Sequence, residues 1–123
     1  MTAPDEGTIR KILERSFELW NAGDRDGYLA LAEEMAPGGF SIEDPVGTPP
    51  ITTMDGLAEL LDRTRGWTLS TDRVLVCGSS AAMVTRAEGE VDGATVTVTS
   101  IDTYDFADDG SLVMRSFYEA AGP

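Results

Sequence analysis

Two aspartates fall on apolar faces of predicted strands, where a carboxyl group could act as an acid or a base. Asp44 follows Phe40 and Ile42, which alternate with polar residues, and the period of two places Asp44 on their side. Asp102 lies in the middle of the more apolar face of the strand predicted at residues 94–106. An ionised carboxylate on such a face is costly unless it is paired. Two such groups in one cavity, with different proton affinities, would supply a base and an acid at neutral pH.

Each aspartate also has a purely structural interpretation. Asp44 could be a polar strand end or the start of a turn, which the Asp44-Pro45 sequence favours. Asp102 could reach solvent if the strand register slipped by one residue, or it could accept structural hydrogen bonds. If both aspartates faced solvent, the chain would instead be a non-catalytic small-molecule binding or dimerisation module.

Missing residue types narrow the possible chemistry. The chain has no histidine, which excludes Ser-His-Asp and Cys-His catalysis and histidine metal ligation. The single lysine, Lys11, lies early in a predicted helix, and the single cysteine, Cys77, follows an apolar run and cannot form an intramolecular disulfide. An enzyme of this composition without a metal uses carboxylates, helped by tyrosine, as its acid and base. We therefore expect no cofactor.

The charge and length limit the partners and the architecture. A net charge of -13, with nine scattered basic residues, argues against nucleic acid or an anionic membrane as a partner. No apolar segment reaches membrane-spanning length, and the first residues lack the pattern of a signal peptide, so we expect a cytoplasmic protein. A chain of 123 residues is most simply one domain, spanning 1–123.

The hydrophobic pattern predicts helices first and strands afterwards. Helical spacing and capping signals predict helices at 8–21, from Asp24 through Ala32, and at 54–63, with a short strand starting at Phe40 between the second and third. Alternation and turn signals, among them Asp92-Gly93, predict strands at 67–77, 81–91, 94–106 and 112–118. This order predicts an α+β domain in which the helices cover one face of a curved antiparallel sheet.

The loop from Glu43 to Pro50, Glu-Asp-Pro-Val-Gly-Thr-Pro-Pro, resembles a motif of the ketosteroid isomerase family, within the SnoaL-like and nuclear transport factor two-like superfamily. The resemblance extends to the segment 18–24 at the end of the first helix, to Ser100-Ile101-Asp102, and to the closing hairpin around Asp109-Gly110. It implies a cone-shaped curved antiparallel sheet with three helices that enclose an apolar pocket, a cystatin-like roll. It also implies a homodimer through the outer face of the sheet.

The same resemblance implies roles for the two aspartates. Asp44 matches the base that shuttles a proton, and Asp102 matches a protonated aspartic acid that donates a hydrogen bond to an enolate oxygen. The implied mechanism is proton abstraction next to a carbonyl, stabilisation of the oxyanion, and return of the proton elsewhere.

Several pocket positions depart from the family pattern. Ser16 stands in place of the principal tyrosine of the first helix, and a serine, shorter and less acidic, would stabilise a steroid dienolate poorly. Ala32 and Leu61 replace supporting tyrosines, and Glu119 replaces a tryptophan of the last strand. The pocket residues that we expect are Ser16, Trp20, Leu61, Val98, Arg115, Phe117 and Glu119.

These departures suggest related chemistry on the same scaffold. The Asp-Pro-Val-Gly loop at Asp44 is also similar to that of epoxide-opening cyclases of polyether biosynthesis and of pyran-forming enzymes, which use paired carboxylates as base and acid. Asp72 is a weaker candidate for a second acid, because an exposed strand residue explains it better. We predict an isomerase or cyclase that acts on a small, mainly apolar, oxygenated polyketide- or steroid-like substrate.

Overall fold

The computed structural model describes residues 2–119 and contains three helices and five strands. The elements, in chain order, are α1 (Glu6–Asn21), α2 (Arg25–Met35), β1 (Phe40–Glu43), α3 (Met54–Arg63), β2 (Thr68–Cys77), β3 (Ser80–Val91), β4 (Ala94–Phe106) and β5 (Leu112–Tyr118). The predicted α+β class and order of elements are confirmed. No helix within residues 2–119 is long and apolar enough to cross a bilayer.

Side-chain caps fix where the helices begin. The residues Asp5, Asp24 and Thr53 each accept a hydrogen bond from the backbone N–H three residues later, at 2.8 to 3.0 Å. Such a cap satisfies one of the N–H groups that the first turn of a helix leaves without a partner. The helices therefore start where short polar residues precede the apolar stripes.

The sheet has the order β1-β5-β4-β3-β2. Strands β2 to β5 form the predicted antiparallel meander, and positive φ angles at Asp92 (52°) and Gly93 (81°) make the tight turn between β3 and β4. The predicted antiparallel arrangement holds for these four strands, whereas β1 pairs with β5 in parallel. A parallel pair needs a long connection, and here α3 and strands β2 to β4 separate β1 from β5.

The hairpin between β4 and β5 decides which face of β5 points inward. It pairs Phe106 with Leu112, and directly opposed residues share a face of the sheet. Because Phe106 and Leu112 are both buried, the inward residues of β5 are Leu112 and every second residue after it, through Met114 and Ser116 to Tyr118.

The hydrophobic core lies between α1 and the inner face of the sheet. Its buried members are Ile9, Leu13, Ala36, Ala81, Met83, Tyr104, Phe106 and Leu112. The core includes Leu13 but not Ser16, one turn further along α1, which faces a cavity enclosed by the helices and the sheet.

Gly38 ties the start of β1 to the turn between β4 and β5. Its N–H donates to the Gly110 carbonyl at 2.9 Å, and a Cβ on Gly38 would overlap the Asp109 carbonyl oxygen. We expect Gly38→Ala to lower the free energy of unfolding by about 1–3 kcal/mol, because the backbone of the turn cannot move aside as a side chain would. Urea unfolding measures this change.

Gly7→Ala provides the matched control. Gly7 lies in α1, and the nearest atom to an added Cβ is Asp5 Oδ1, at an ordinary contact distance of 3.7 Å. Alanine favours a helix over glycine by up to about 1 kcal/mol, so this variant should be neutral or more stable. Equal stability of the two variants would contradict the close contact at Gly38.

Candidate active site

The three helices and the inner face of the sheet enclose a cavity of about 260 Å³. Most of its walls are apolar, and the side chains that supply them are Phe17, Trp20, Met35, Ile42, Leu57, Leu60, Trp67, Leu69, Ala87, Val98, Leu112 and Met114. Asp44 and Asp102 both line this cavity. The two aspartates on apolar strand faces therefore meet in one site.

Asp102 lies at the centre of the inner face of β4, between Met83 of β3 and Ser116 of β5. Only 5% of the residue is exposed. Thr85 Oγ1 donates to Asp102 Oδ2 at 2.7 Å, and Ser100 Oγ donates to Asp102 Oδ1 at 3.0 Å. Both carboxyl oxygens thus have hydroxyl partners, which offset the cost of burial.

Asp44 follows directly after β1 and is held at the edge of the cavity. The Tyr118 hydroxyl donates to Asp44 Oδ1 at 2.5 Å. Just past Asp44, the Val46 N–H donates to the Ser116 carbonyl at 2.9 Å, so β5 fixes both the carboxyl group and the backbone of this loop. At the base of the loop, Ile42 and Ile51 exchange two backbone hydrogen bonds.

The pKa of Asp44 is raised above its usual value of 3.8. Burial is the main cause, and the nearby charge of Asp102 adds to it. The hydrogen bond from Tyr118 and the positive charge of Arg63 act in the opposite direction, because both stabilise the ionised form. Asp44 is thus a base that holds its proton more tightly than a surface aspartate.

All three tyrosines of the chain line the cavity. Burial, together with the negative charges of Asp102 and Asp44, raises the pKa of Tyr28 to about 12 and that of Tyr104 well above its usual range. Burial and the hydrogen bond to Asp44 likewise raise the pKa of Tyr118. The three phenols therefore remain hydrogen-bond donors at neutral pH.

None of these tyrosines is among the site residues predicted from the sequence. Tyr104 was detectable, because it follows Asp102 by two residues and shares its face of β4. Tyr118 required the hairpin register, which pairs it with Ser100. Tyr28 required the rotation of α2 about its axis, which the weak apolar stripe of that helix does not define.

Three of the predicted pocket residues, Ser16, Trp20 and Val98, line the cavity. The Ser16 hydroxyl donates to the Leu13 carbonyl at 2.7 Å, so its hydrogen is directed into α1. Trp20 Nε1 donates to the Trp67 carbonyl at 2.9 Å, which joins the end of α1 to the start of β2.

The predictions for Arg115, Phe117 and Glu119 are wrong, because they assumed the opposite face of β5. Arg115 and Phe117 lie on the outer face, where the guanidinium group stacks 5.2 Å from the centre of the Phe117 ring. Arg115 also lies 3.7 Å from Glu43. Glu119 is exposed just beyond the strand.

The prediction for Leu61 is also wrong. The residues of α3 and its C-cap that line the cavity are Leu57, Leu60 and Thr64, whereas Leu61 lines a smaller crevice between α2 and α3. Around the helix, Leu61 lies about 40° from Leu57 and about 100° from Leu60, so it lies at one edge of the apolar stripe, where it lines the crevice rather than the cavity.

Asp72 lies at a bulge in β2, away from the cavity. It is exposed and pairs with Arg86 at 2.6 Å, as expected for a surface strand residue. No three cysteine or acidic side chains within residues 2–119 converge in the manner of a metal site.

Comparison with known proteins identifies the fold and the family. The model of the SnoaL-like domain family matches residues 13–114. No curated protein matches the chain. Solved structures resemble this chain closely in backbone fold but have low sequence identity to it.

Three solved structures illustrate this similarity. The epoxide hydrolase/cyclase-like enzyme SalBIII, described in pyran ring formation in the polyether salinomycin, has a TM-score of 0.78 and 23% identity over 94% of each chain. A putative SnoaL-like polyketide cyclase from Jannaschia sp. CCS1 has a TM-score of 0.75 and 19% identity, over 97% of this chain and 90% of that one. A computationally designed 17-OHP binder has a TM-score of 0.73 and 20% identity, over 98% and 94%.

The hydrogen bond from Tyr118 to Asp44 can be tested directly. Since this bond lowers the pKa of Asp44, we expect Tyr118→Phe to raise that pKa further. Carboxyl-carbon NMR of Asp44 as a function of pH measures the shift. Phe117→Leu, on the outer face of the same strand, should leave the Asp44 titration unchanged. A lower Asp44 pKa in Tyr118→Phe would contradict the proposed contact.

Proposed function

The chain belongs to the SnoaL-like domain family, and from this we propose that it is a cofactor-independent acid–base enzyme, an isomerase or a cyclase. One observation carries the proposal: Asp44 and Asp102 line the same, mainly apolar cavity in unlike surroundings. Paired carboxyl groups in unlike environments can divide the roles of base and acid.

The cavity suggests the class of substrate. Its walls are mainly aliphatic and aromatic, and its volume of about 260 Å³ is near the lower end of the range for small-molecule sites. Hydroxyl and carboxyl groups occur at a few points among the apolar walls. We propose a small, mainly apolar, oxygenated molecule of polyketide- or steroid-like chemistry.

In the proposed mechanism, ionised Asp44 removes a proton from the substrate. Partial burial keeps water from surrounding the carboxylate, and its raised pKa makes it a stronger base than a surface aspartate. The Tyr118 hydroxyl holds Oδ1, so Oδ2 is the oxygen available to receive the proton.

Protonated Asp102 acts on the oxygen at which charge develops. In an isomerisation, the base removes a proton next to a carbonyl, and Asp102 donates a hydrogen bond to the enolate oxygen until the proton returns to another carbon. In a ring closure by epoxide opening, Asp44 takes the proton of a substrate hydroxyl while that oxygen attacks an epoxide carbon; the epoxide carbon–oxygen bond breaks, and Asp102 gives its proton to the oxygen released. In a pyran formation by conjugate addition, the same oxygen attacks the β-carbon of an enone, the carbon–carbon double bond opens, and Asp102 gives its proton to the enolate oxygen that results. None of these routes changes the oxidation state of the substrate.

Two observations favour ring closure, by epoxide opening or pyran formation, as the second candidate. Thr85 and Ser100 donate to the two oxygens of Asp102, an arrangement that stabilises the carboxylate left after proton transfer. SalBIII, which has the same fold, is described as an epoxide hydrolase/cyclase-like enzyme in pyran ring formation. A carboxylic acid that gives up its proton becomes a carboxylate, and hydrogen-bond donors such as Thr85 and Ser100 stabilise a carboxylate more than a neutral acid.

Replacement of the two aspartates tests the proposal. On enone and hydroxy-epoxide panels, we expect Asp44→Asn and Asp102→Asn each to lower kcat/KM by about 10²–10⁴, the usual contribution of a positioned acid or base. Activity should rise with pH as Asp44 ionises, with the acidic limb above pH 3.8 because the Asp44 pKa is raised. Steady-state kinetics and identification of the product distinguish isomerisation from ring closure.

Asp72→Asn is the matched control, because it removes one carboxylate from the exposed surface of β2. It should leave kcat/KM within about twofold of the wild type, as expected for a surface pair. Full activity of Asp44→Asn, or an equal loss in Asp72→Asn, would refute the assignment. A protein that binds the panels without turnover would fit a binding module.

The homodimer expected from the family resemblance stays a prediction. Ile101 and Phe117 are cross-strand neighbours on the outer face of the sheet, and both are exposed. Val113 is exposed on the same face of β5. Contiguous apolar side chains of this kind are typical of protein contact surfaces.

A further inference from the structure

Two of the three tyrosine hydroxyls in the cavity have no hydrogen-bond partner within residues 2–119. The Tyr118 hydroxyl is occupied by Asp44, whereas Tyr28 and Tyr104 make no side-chain hydrogen bond to any group within residues 2–119. In that part of the chain no fully buried side-chain oxygen or nitrogen lacks a partner. Neither the Tyr28 oxygen nor the Tyr104 oxygen is therefore fully buried, and both residues line the cavity, with Tyr28 between it and the crevice beside α3.

Both phenol rings are held in fixed positions. The Tyr28 ring packs edge-to-face on Trp20, with centroids 5.7 Å apart and planes at 73°, and Trp20 is itself bonded to the Trp67 carbonyl. Tyr104 is 8% exposed and lies in the sheet between Ala81 and Met114.

The surroundings define what these hydroxyls can bind. Both phenols line the same cavity as Asp44 and Asp102, and Tyr104 follows Asp102 by two residues on the inner face of β4. Ionised Asp44 would repel an anionic ligand. A phenol that keeps its proton is a donor, so the complementary ligand atom is a neutral oxygen acceptor on an otherwise apolar molecule.

Ser16 cannot perform this task, because its hydroxyl donates to the Leu13 carbonyl. We propose that the hydroxyls of Tyr28 and Tyr104 form an oxygen-binding subsite, which holds a carbonyl or ether oxygen of the substrate beside Asp102 and Asp44. The identification of this ligand as the substrate rests on the proposed function. In this subsite, the hydrogen-bond donors come from α2 and β4.

A pair of isosteric ligands isolates the hydrogen bond. The probes are 2-acetylnaphthalene, which carries a carbonyl oxygen, and 2-isopropenylnaphthalene, in which a CH₂ group replaces that oxygen. Calorimetric titration gives the affinity of each for the wild type, Tyr28→Phe and Tyr104→Phe. The ratio of the two affinities cancels effects on packing and on the apolar walls.

We expect each variant to lower the ketone-to-hydrocarbon affinity ratio by about three- to tenfold, the value of one neutral hydrogen bond. An unchanged ratio, as would follow if ordered water satisfied the phenols, overturns the subsite. Equal weakening of both probes also overturns it, because it shows a packing role. Failure of the wild type to bind the ketone has the same consequence.

A measurement on the wild type alone tests the subsite even if the variants do not fold. Hydrogen bonding lowers the C=O stretching frequency, so bound 2-acetylnaphthalene should absorb at lower frequency than the ketone in an alkane. A frequency equal to that in the alkane contradicts the subsite. Because these tests measure binding, loss of the proposed catalysis in the aspartate variants and loss of the subsite are separate outcomes.

Discussion

The position of β5 between β1 and β4 is the constraint on which the cavity depends. Its antiparallel register with β4 places Ser116 beside Asp102, and its parallel pairing with β1 brings the chain that carries Asp44 alongside it. Tyr118 then reaches Asp44 from the end of the same strand. A shift of β5 by one residue would replace Ser116 and Tyr118 with outward residues, since neighbouring residues of a strand point to opposite faces. Asp44, Asp102 and Tyr118 come together only in this register.

The cavity holds two carboxyl groups at a cost that the fold offsets in two ways. Asp102 is deeply buried, and neighbouring hydroxyls on its own strand and on β3 satisfy its oxygens. Asp44 lies at the edge, where one phenol and the more distant charge of Arg63 support its ionised form without cancelling the effect of burial. Unlike surroundings of this kind can separate the proton affinities of two identical side chains in one site.

Local patterns in the sequence predicted the elements and the faces of both aspartates. Turn residues mark the ends of every strand of the meander, and the period of two along β4 suffices to direct Asp102 inward. The parallel pairing of β1 depends on contacts between residues about 70 positions apart, which no local pattern records. The face of β5 was ambiguous because Phe117 and Tyr118 are both aromatic. The pairing of Phe106 with Leu112 across the Asp109-Gly110 turn resolves it.

The distribution of aromatic residues connects the fold to the proposed chemistry. Where an inward aromatic side chain has only a packing role, as at Phe106, the residue is a phenylalanine, which has no hydroxyl group to bury. Every tyrosine lies instead at the cavity, close enough to the carboxyl groups for their charges to act on it. A hydroxyl that had no hydrogen-bond partner there would lose its hydration with nothing to offset the cost. The polar groups of the cavity are therefore two carboxyl groups, three phenols and a few smaller hydroxyls, within walls that are mainly apolar.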